Sequence, residues 1–170
     1  MQICKETYDK IHKISYRKSS ENSYQVACAA GREVLHAEIV DKKIQSSFVI
    51  KLSDWISNVS ILSNGSVVVV TSHNIAALLS ITDQKAEIKE KLRCVENSTL
   101  YCSFIFGNEW ENLHFFGGTA LGELVVWTKT SGIIYRHFLH NGVIFSIDFD
   151  GRFLVIKIKF SCFENGLIFF

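Results

Sequence analysis

Val59-Ser60-Ile61, Cys102-Ser103-Phe104 and Phe145-Ser146-Ile147 are one apolar-Ser-apolar element repeated every 43 residues. A second marker keeps nearly the same beat. Gly31, Asn74 and Gly122 are turn residues, and His36, Leu79 and Trp127 follow each of them by five positions in an apolar stretch. Working outward from these markers, the chain divides into short strands bounded by turn residues such as Ser63-Asn64-Gly65, His73-Asn74 and Asp150-Gly151. The first unit holds residues 11–17, 24–30, 32–39 and 44–52. The second holds 56–62, 66–72, 75–81 and 86–93, and the third 100–106, 112–118, 123–129 and 133–139. A fourth opens with 143–149 and 152–155. Phe145, Ile147 and Phe149 alternate with Ser146 and Asp148, as a half-buried strand requires. A period of 40 to 45 residues built from short strands is the mark of propeller blades. The expected fold is all-β, an incomplete propeller of about three four-stranded blades plus the start of a fourth.

One stretch is locally ambiguous. Lys85 to Leu92 is rich in helix formers. The repeat nevertheless places an outer, solvent-exposed strand there.

Composition narrows function by exclusion. The 170 residues are 48% hydrophobic and carry a net charge of +1, so no global field draws the chain to nucleic acid or to an acidic membrane. The five cysteines (Cys4, Cys28, Cys94, Cys102 and Cys162) form no CxxC pair and are odd in number, which reads as buried thiols in a reducing compartment. The first residues hold scattered charges and no apolar core of a signal peptide, and no apolar run is long enough for a bilayer. The expectation is a cytoplasmic protein without membrane insertion. Proline is absent, whereas an average chain of this length carries about eight; central strands exclude proline.

No catalytic constellation emerges by spacing, so the chain is read as a non-enzyme. Gly117-Gly118-x-x-x-Gly122 has the glycines of a phosphate loop, but a strand follows it where a helix N-terminus is needed. His137 and His140 form an H-x-x-H pair lacking two further ligands and a second shell. Three binding features remain. Asp54-Trp55 opens a blade where loops line a propeller face; it is either a partner contact or a Trp wedged between blades with Asp54 as turn acceptor. Trp110 lies on the longer loop of the third unit, as a contact residue or as a ring folded back over the blade edge. Lys10, Lys13, Arg17 and Lys18 make the N-terminal end locally basic, suited to phosphates or to a solvated charged edge.

The run 118–127, Gly-Thr-Ala-Leu-Gly-Glu-Leu-Val-Val-Trp, followed by 140–147, His-Asn-Gly-Val-Ile-Phe-Ser-Ile, resembles two successive WD-repeat strands and the start of the next repeat. Asp54-Trp55-Ile56, His73-Asn74, the run from Arg93-Cys94 through Ser98-Thr99-Leu100 to Gly107-Asn108-Glu109-Trp110, and Gly142-Val143-Ile144-Phe145-Ser146 are similar to the N-terminal region of the WD-repeat protein 6 family. The resemblance covers residues 11–155. It implies a scaffold that partners an FtsJ-type tRNA methyltransferase in 2′-O-methylation of the wobble nucleotide. S-adenosylmethionine is then held by the partner enzyme, and the chain itself takes no cofactor or metal. The alternative is a general interaction scaffold in endosomal recycling or growth signalling. His140 occupies the place of the WD-repeat histidine that joins an Asp, Ser/Thr and Trp network. That network is incomplete in every unit, because Trp127 is matched by Leu79 and His36. These blades are therefore expected to rely on apolar packing.

Two departures matter. The family's first strands are missing before Met1, and its blade pattern gives way after Val155 to a tail rich in Phe, Ile and Lys. The expected domains are a partial propeller at 1–155 and a non-repeat tail at 156–170. The tail is read as translated intron sequence or the end of a short isoform, which transcript sequencing across the Val155 codon checks. An open arc of blades leaves packing faces uncovered, so the isolated chain is expected to be weakly stable and prone to aggregate.

Overall fold

The computed structural model describes residues 9–82, 86–94, 99–139, 141–159 and 165–169, with side chains as far as 158. Every described element is a strand except one 3₁₀ turn, Trp110–Asn112. Strands β1 (Ile11–Ser20), β2 (Ser23–Ala30), β3 (Glu33–Val40) and β4 (Lys43–Lys51) form the first antiparallel sheet, in chain order. The second is β5 (Ile56–Ile61), β6 (Val67–Thr71), β7 (Ile75–Ile81) and β8 (Ala86–Arg93). The third is β9 (Leu100–Phe106), β10 (His114–Thr119), β11 (Glu123–Thr128) and β12 (Gly132–Phe138). The fourth holds β13 (Ile144–Phe149), β14 (Leu154–Lys159) and β15 (Asn165–Phe169). The first strands of successive sheets meet, β1 with β5, β5 with β9 and β9 with β13. The sheets thus fan outward from a shared inner wall and form an open arc of propeller blades.

Each junction between sheets is its own core. Ala27, Ala29, Val34 and Ile50 of the first sheet pack on Val59, Val67, Val69 and Leu79 of the second. Val68, Val70 and Ala76 of the second sheet pack on Ile105, Phe115 and Trp127 of the third. Cys102, Phe116, Leu124 and Val126 of the third sheet pack on Ile144, Ile147, Ile156 and Ile158 of the fourth. Strands buried on both faces carry runs such as Val67 to Val70, 1% exposed or less, in place of strict alternation. The contested stretch is the outer strand β8, whose burial alternates residue by residue, with Glu87, Lys89, Lys91 and Arg93 exposed. Lys85 lies outside the described residues.

Gly31, Asn74 and Gly122 have φ of +59°, +58° and +84°. They close the same turn, between the second and third strands, in three sheets. The turn needs a left-handed residue, which glycine and asparagine adopt most readily.

The serine beat does not mark equivalent positions. Each inner strand contains a bulge, and the residue before it recurs at Ile11, Ile56, Leu100 and Ile144, in steps of 45, 44 and 44 residues. Ser60, Ser103 and Ser146 recur every 43, so they lie three, two and one residues past the skipped position. A slip of one residue moves a side chain to the opposite face of a sheet. Accordingly Ser103 is buried, Ser60 is half-buried and Ser146 is exposed.

The boundary expected after Val155 falls inside β14, and β15 pairs with β14 from Val155–Phe169 to Lys159–Asn165. Where no blade pattern was expected, the tail therefore adds strand to the fourth sheet. Its residues are unlike those of the other blades, however. Lys157 pairs with Ser146 at the place where the earlier sheets pair Ala29 with Lys13, Val70 with Asn58 and Gly118 with Cys102.

Candidate functional site

The four inner strands are stitched together by side chains that reach across to the neighbouring backbone. His12 Nε2 donates to the Ile56 carbonyl at 2.7 Å, and the Ile61 amide donates to Ser15 Oγ at 3.1 Å. Asn58 Nδ2 donates to the Ser103 carbonyl, and the Ser57 and Ser103 hydroxyls lie 2.6 Å apart. Cys102 Sγ donates to the Ile144 carbonyl at 3.2 Å. Burial pushes the Cys102 thiol up to about 12, so it remains a protonated donor and an inert nucleophile at neutral pH.

The bulge residues are His12, Ser57, Tyr101 and Phe145. Bulges re-aim side chains. Here they gather aromatic rings at one end of the inner wall. Trp55 stacks on His12 with centroids 5.6 Å apart and planes at 19°. Tyr101 meets Phe145 edge to face at 5.1 Å. Tyr101 is 54% exposed and Trp55 48%. Sequence reading named neither Tyr101 nor Phe145 as a binding candidate and placed Phe145 only on a strand face. Steps of 45, 44 and 44 residues, in register with the bulges, align them with His12.

Asp54 fixes the corner beneath Trp55. Its Oδ1 accepts from the Trp55 amide at 2.7 Å and lies 3.0 Å from His73 Nδ1, while Oδ2 accepts from the His73 amide at 3.1 Å. Thr71 adds a further side-chain hydrogen bond. Partial burial raises the Asp54 pKa, but these four donors outweigh it and hold the carboxyl below the usual carboxylate range. Carboxylate, Thr and His thus tie the loop before an inner strand to the turn between the next two strands.

Asp54→Ala leaves the Trp55 and His73 amides without their acceptor, and is expected to cost about 1.5–3 kcal/mol in urea denaturation. Because the folded-state pKa is depressed, this stabilisation is present above the ordinary value of 3.8 and is lost as pH falls through it toward the folded pKa. The Asp54→Ala difference should therefore shrink in acid.

Of the two readings of Trp110, the ring is folded back. It is 7% exposed, sits edge to face on Phe115 at 6.1 Å, and donates from Nε1 to Glu90 Oε2 at 2.7 Å. Lys129 Nζ lies 5.6 Å from the ring centroid and bridges Glu90 at 3.0 Å and Glu111 at 2.7 Å. The longer loop of the third unit is thus a latch on the outer strand of the second, and offers no open aromatic face.

The four basic candidates do not share a surface. Lys13 and Arg17 fall on the side of β1 that turns toward the second sheet, Lys18 on the opposite side, and Lys10 precedes the strand. Arg17 donates to Gln25 Oε1 at 3.2 Å, whereas Lys10, Lys13 and Lys18 are exposed. Gly117 and Gly118 lie in β10, and β11 follows Gly122. His137 is exposed on β12, and His140 lies outside the described residues. Trp127 stacks on Phe115 at 4.3 Å, and its Nε1 has no hydrogen-bond partner among the described residues, so it contributes through packing. Cys28, Cys94 and Cys102 are buried thiols, whereas Cys4 and Cys162 lie outside the described residues. No helix of the described residues is long and apolar enough to cross a membrane.

No protein-family model matches the chain. The chain is 36% identical over 76 residues to the tRNA (34-2′-O)-methyltransferase regulator WDR6 of Drosophila melanogaster, a match covering 37% of this chain and 8% of that protein. The chain thus spans less than a tenth of this relative. Among solved structures it is similar to BBS1N in a complex with ARL6DN, at TM-score 0.63 and 12% identity over 90% of this chain and 49% of that one. It is also similar to the β-propeller domain of Cps50 (Swd1) from Myceliophteria thermophila, at TM-score 0.62 and 16% identity over 87% of this chain and 49% of that one. These likenesses establish the propeller fold, and the sequence match supports a relation to WD-repeat proteins.

Proposed function

We propose that the chain is a non-catalytic WD-repeat scaffold that assists wobble-position 2′-O-ribose methylation of tRNA by an FtsJ-type methyltransferase. The observation that carries this reading is the Asp54–Trp55 corner, a half-exposed indole stacked on His12 whose backbone amide is held by Asp54 at the start of an inner strand. A rigid, amphipathic ring that is already ordered loses little entropy on binding, and such residues anchor protein interfaces. The similarity to a methyltransferase regulator supports the choice of partner. In this reading Trp55 and Asp54 meet the enzyme in the cytoplasm, and the enzyme holds S-adenosylmethionine and performs the transfer. Exposed lysines at the N-terminal end, such as Lys10 and Lys13, contribute salt-dependent phosphate contacts to tRNA within the complex.

The test has two arms. The tagged chain is expected to capture the FtsJ-type enzyme, and Trp55→Ala to reduce capture at least tenfold, since interface tryptophans commonly carry about 2 kcal/mol or more. Depleting the protein from cells is expected to lower wobble 2′-O-methylation in nucleoside analysis. Unchanged methylation overturns the proposal, and proximity labelling dominated by endosomal or kinase partners without the enzyme favours the general interaction scaffold instead.

A further inference from the structure

The bulges bring together rings that the chain keeps far apart. Tyr101 is the bulge residue of β9 and Phe145 that of β13, and the two meet edge to face with centroids 5.1 Å apart and planes at 79°. Tyr101 is braced by the Phe145 ring, yet more than half of its surface stays open. At the matching bulge of β5 stands the buried Ser57, which parts this pair from the His12–Trp55 pair.

Cations reach the same end of the inner wall. Lys13 of β1 comes close enough to β9 for its charge to act on the Cys102 thiol, the residue after Tyr101, against the larger effect of burial. Lys10 and Lys13 are exposed, whereas the Asp54 carboxylate is taken up by the Trp55 and His73 amides, the His73 ring and Thr71. Asp148 is exposed three residues beyond Phe145 and bounds the cationic area along β13. The core of a protein interface is contiguous and depleted of lysine. Separate, half-open rings beside lysines are instead the arrangement that takes single-stranded nucleic acid, with bases stacked on the rings and cations on the phosphates. A base-paired helix keeps its base faces inside the stack, so the RNA that fits is an unpaired loop.

We propose that Tyr101, braced by Phe145, is a stacking platform for a base of a single-stranded RNA loop, with Lys13 on a neighbouring phosphate. For its natural ligand this rests on the methylation reading above, since the wobble nucleotide belongs to the unpaired anticodon loop. Trp55 remains the contact to the enzyme, so the two sites separate by mutation. A tyrosine face gives affinity without reading sequence, because every base has a π-face. The choice of nucleotide is then left to the enzyme.

Fluorescence anisotropy of the chain with a labelled anticodon stem-loop tests the proposal, with a fully paired RNA duplex of equal length as control. The stem-loop should bind more tightly than the duplex. Tyr101→Ala should weaken stem-loop binding by about fivefold or more, as loss of a stacking ring does, and leave duplex binding unchanged. Tyr101→Trp keeps a stacking face and should bind within about twofold of the parent. Lys13→Ala should weaken binding and lower the salt slope by about 0.7, the effect of one phosphate contact on a single strand. An unchanged circular dichroism spectrum confirms that each variant folds. Absent stem-loop binding, binding that ignores Tyr101→Ala, or an equal loss on the duplex overturns the inference. So does a Tyr101→Ala chain that binds the loop normally but no longer captures the enzyme, which makes the ring pair a protein contact. If depletion leaves wobble methylation unchanged while loop binding still depends on Tyr101, the methylation reading falls and the stacking platform stands.

Discussion

Trp110→Ala is expected to cost about 3–5 kcal/mol, measured by urea denaturation. The ring is 7% exposed and belongs to the core between the second and third sheets, so truncation opens a cavity where two blades meet. It also removes the donor to Glu90 and the surface over which Lys129 Nζ sits. Glu90 is held below the usual carboxylate range first by the Trp110 hydrogen bond and then by Lys129, so both partners act on the same carboxylate. Domains are stable by only about 5–15 kcal/mol, and this one substitution consumes much of that margin. Trp110→Phe keeps most of the packing and loses only the Nε1 donor, for an expected cost of about 1–2 kcal/mol. A loss below about 1 kcal/mol for Trp110→Ala, against the usual cost of deleting a buried aromatic, would show that the loop does not latch the blades.

His36→Leu is expected to stabilise the protein by about 1–3 kcal/mol. His36 is 4% exposed, on the side of the first sheet that turns toward the second, and neither ring nitrogen has a hydrogen-bond partner among the described residues. The register aligns His36 with Leu78 and Val126, so an apolar residue is what the other blades use there. Burial lowers the His36 pKa from its ordinary 6.5, because the charged ring is costly between the sheets. The unfolded chain then binds the proton more readily than the folded one. Stability is full above 6.5 and declines as pH falls below it, until the folded-state pKa is reached and the loss levels off. Denaturation between pH 8 and 5 should show this decline in the parent and a flatter profile in His36→Leu. A parallel decline in both would assign the acid sensitivity to another group.

His36 also shows where reading the chain stopped. The marker His36–Leu79–Trp127 found the right strands, yet the register aligns Leu79 and Trp127 with Ala37. The serine beat failed in the same way, by one residue per blade, because a bulge adds a residue that no periodicity announces. The turn residues were legible because a left-handed φ is a local demand that Gly31, Asn74 and Gly122 each meet. The outer strand β8 was legible from the repeat, although its helix formers argued otherwise.

The candidate site divides along the same line. Asp54 was legible as a turn acceptor, because a short carboxylate beside a turn finds nearby amides. Its link to His73 was not, since the two are 19 residues apart and meet only through the second sheet. Trp55 and Trp110 both appeared as loop tryptophans, yet one is half-exposed and the other buried. The difference is Phe115 and Glu90, each from another strand and one from another blade.

The sequence by itself determined the strands of the first three sheets and their turns, because alternation and positive-φ turns are properties of a few neighbouring residues. Tertiary structure alone decided which faces are covered and which rings are open. Burial in a propeller comes from the adjacent sheet, about 44 residues away, so Val67 and Val69 are buried because the first sheet packs on them.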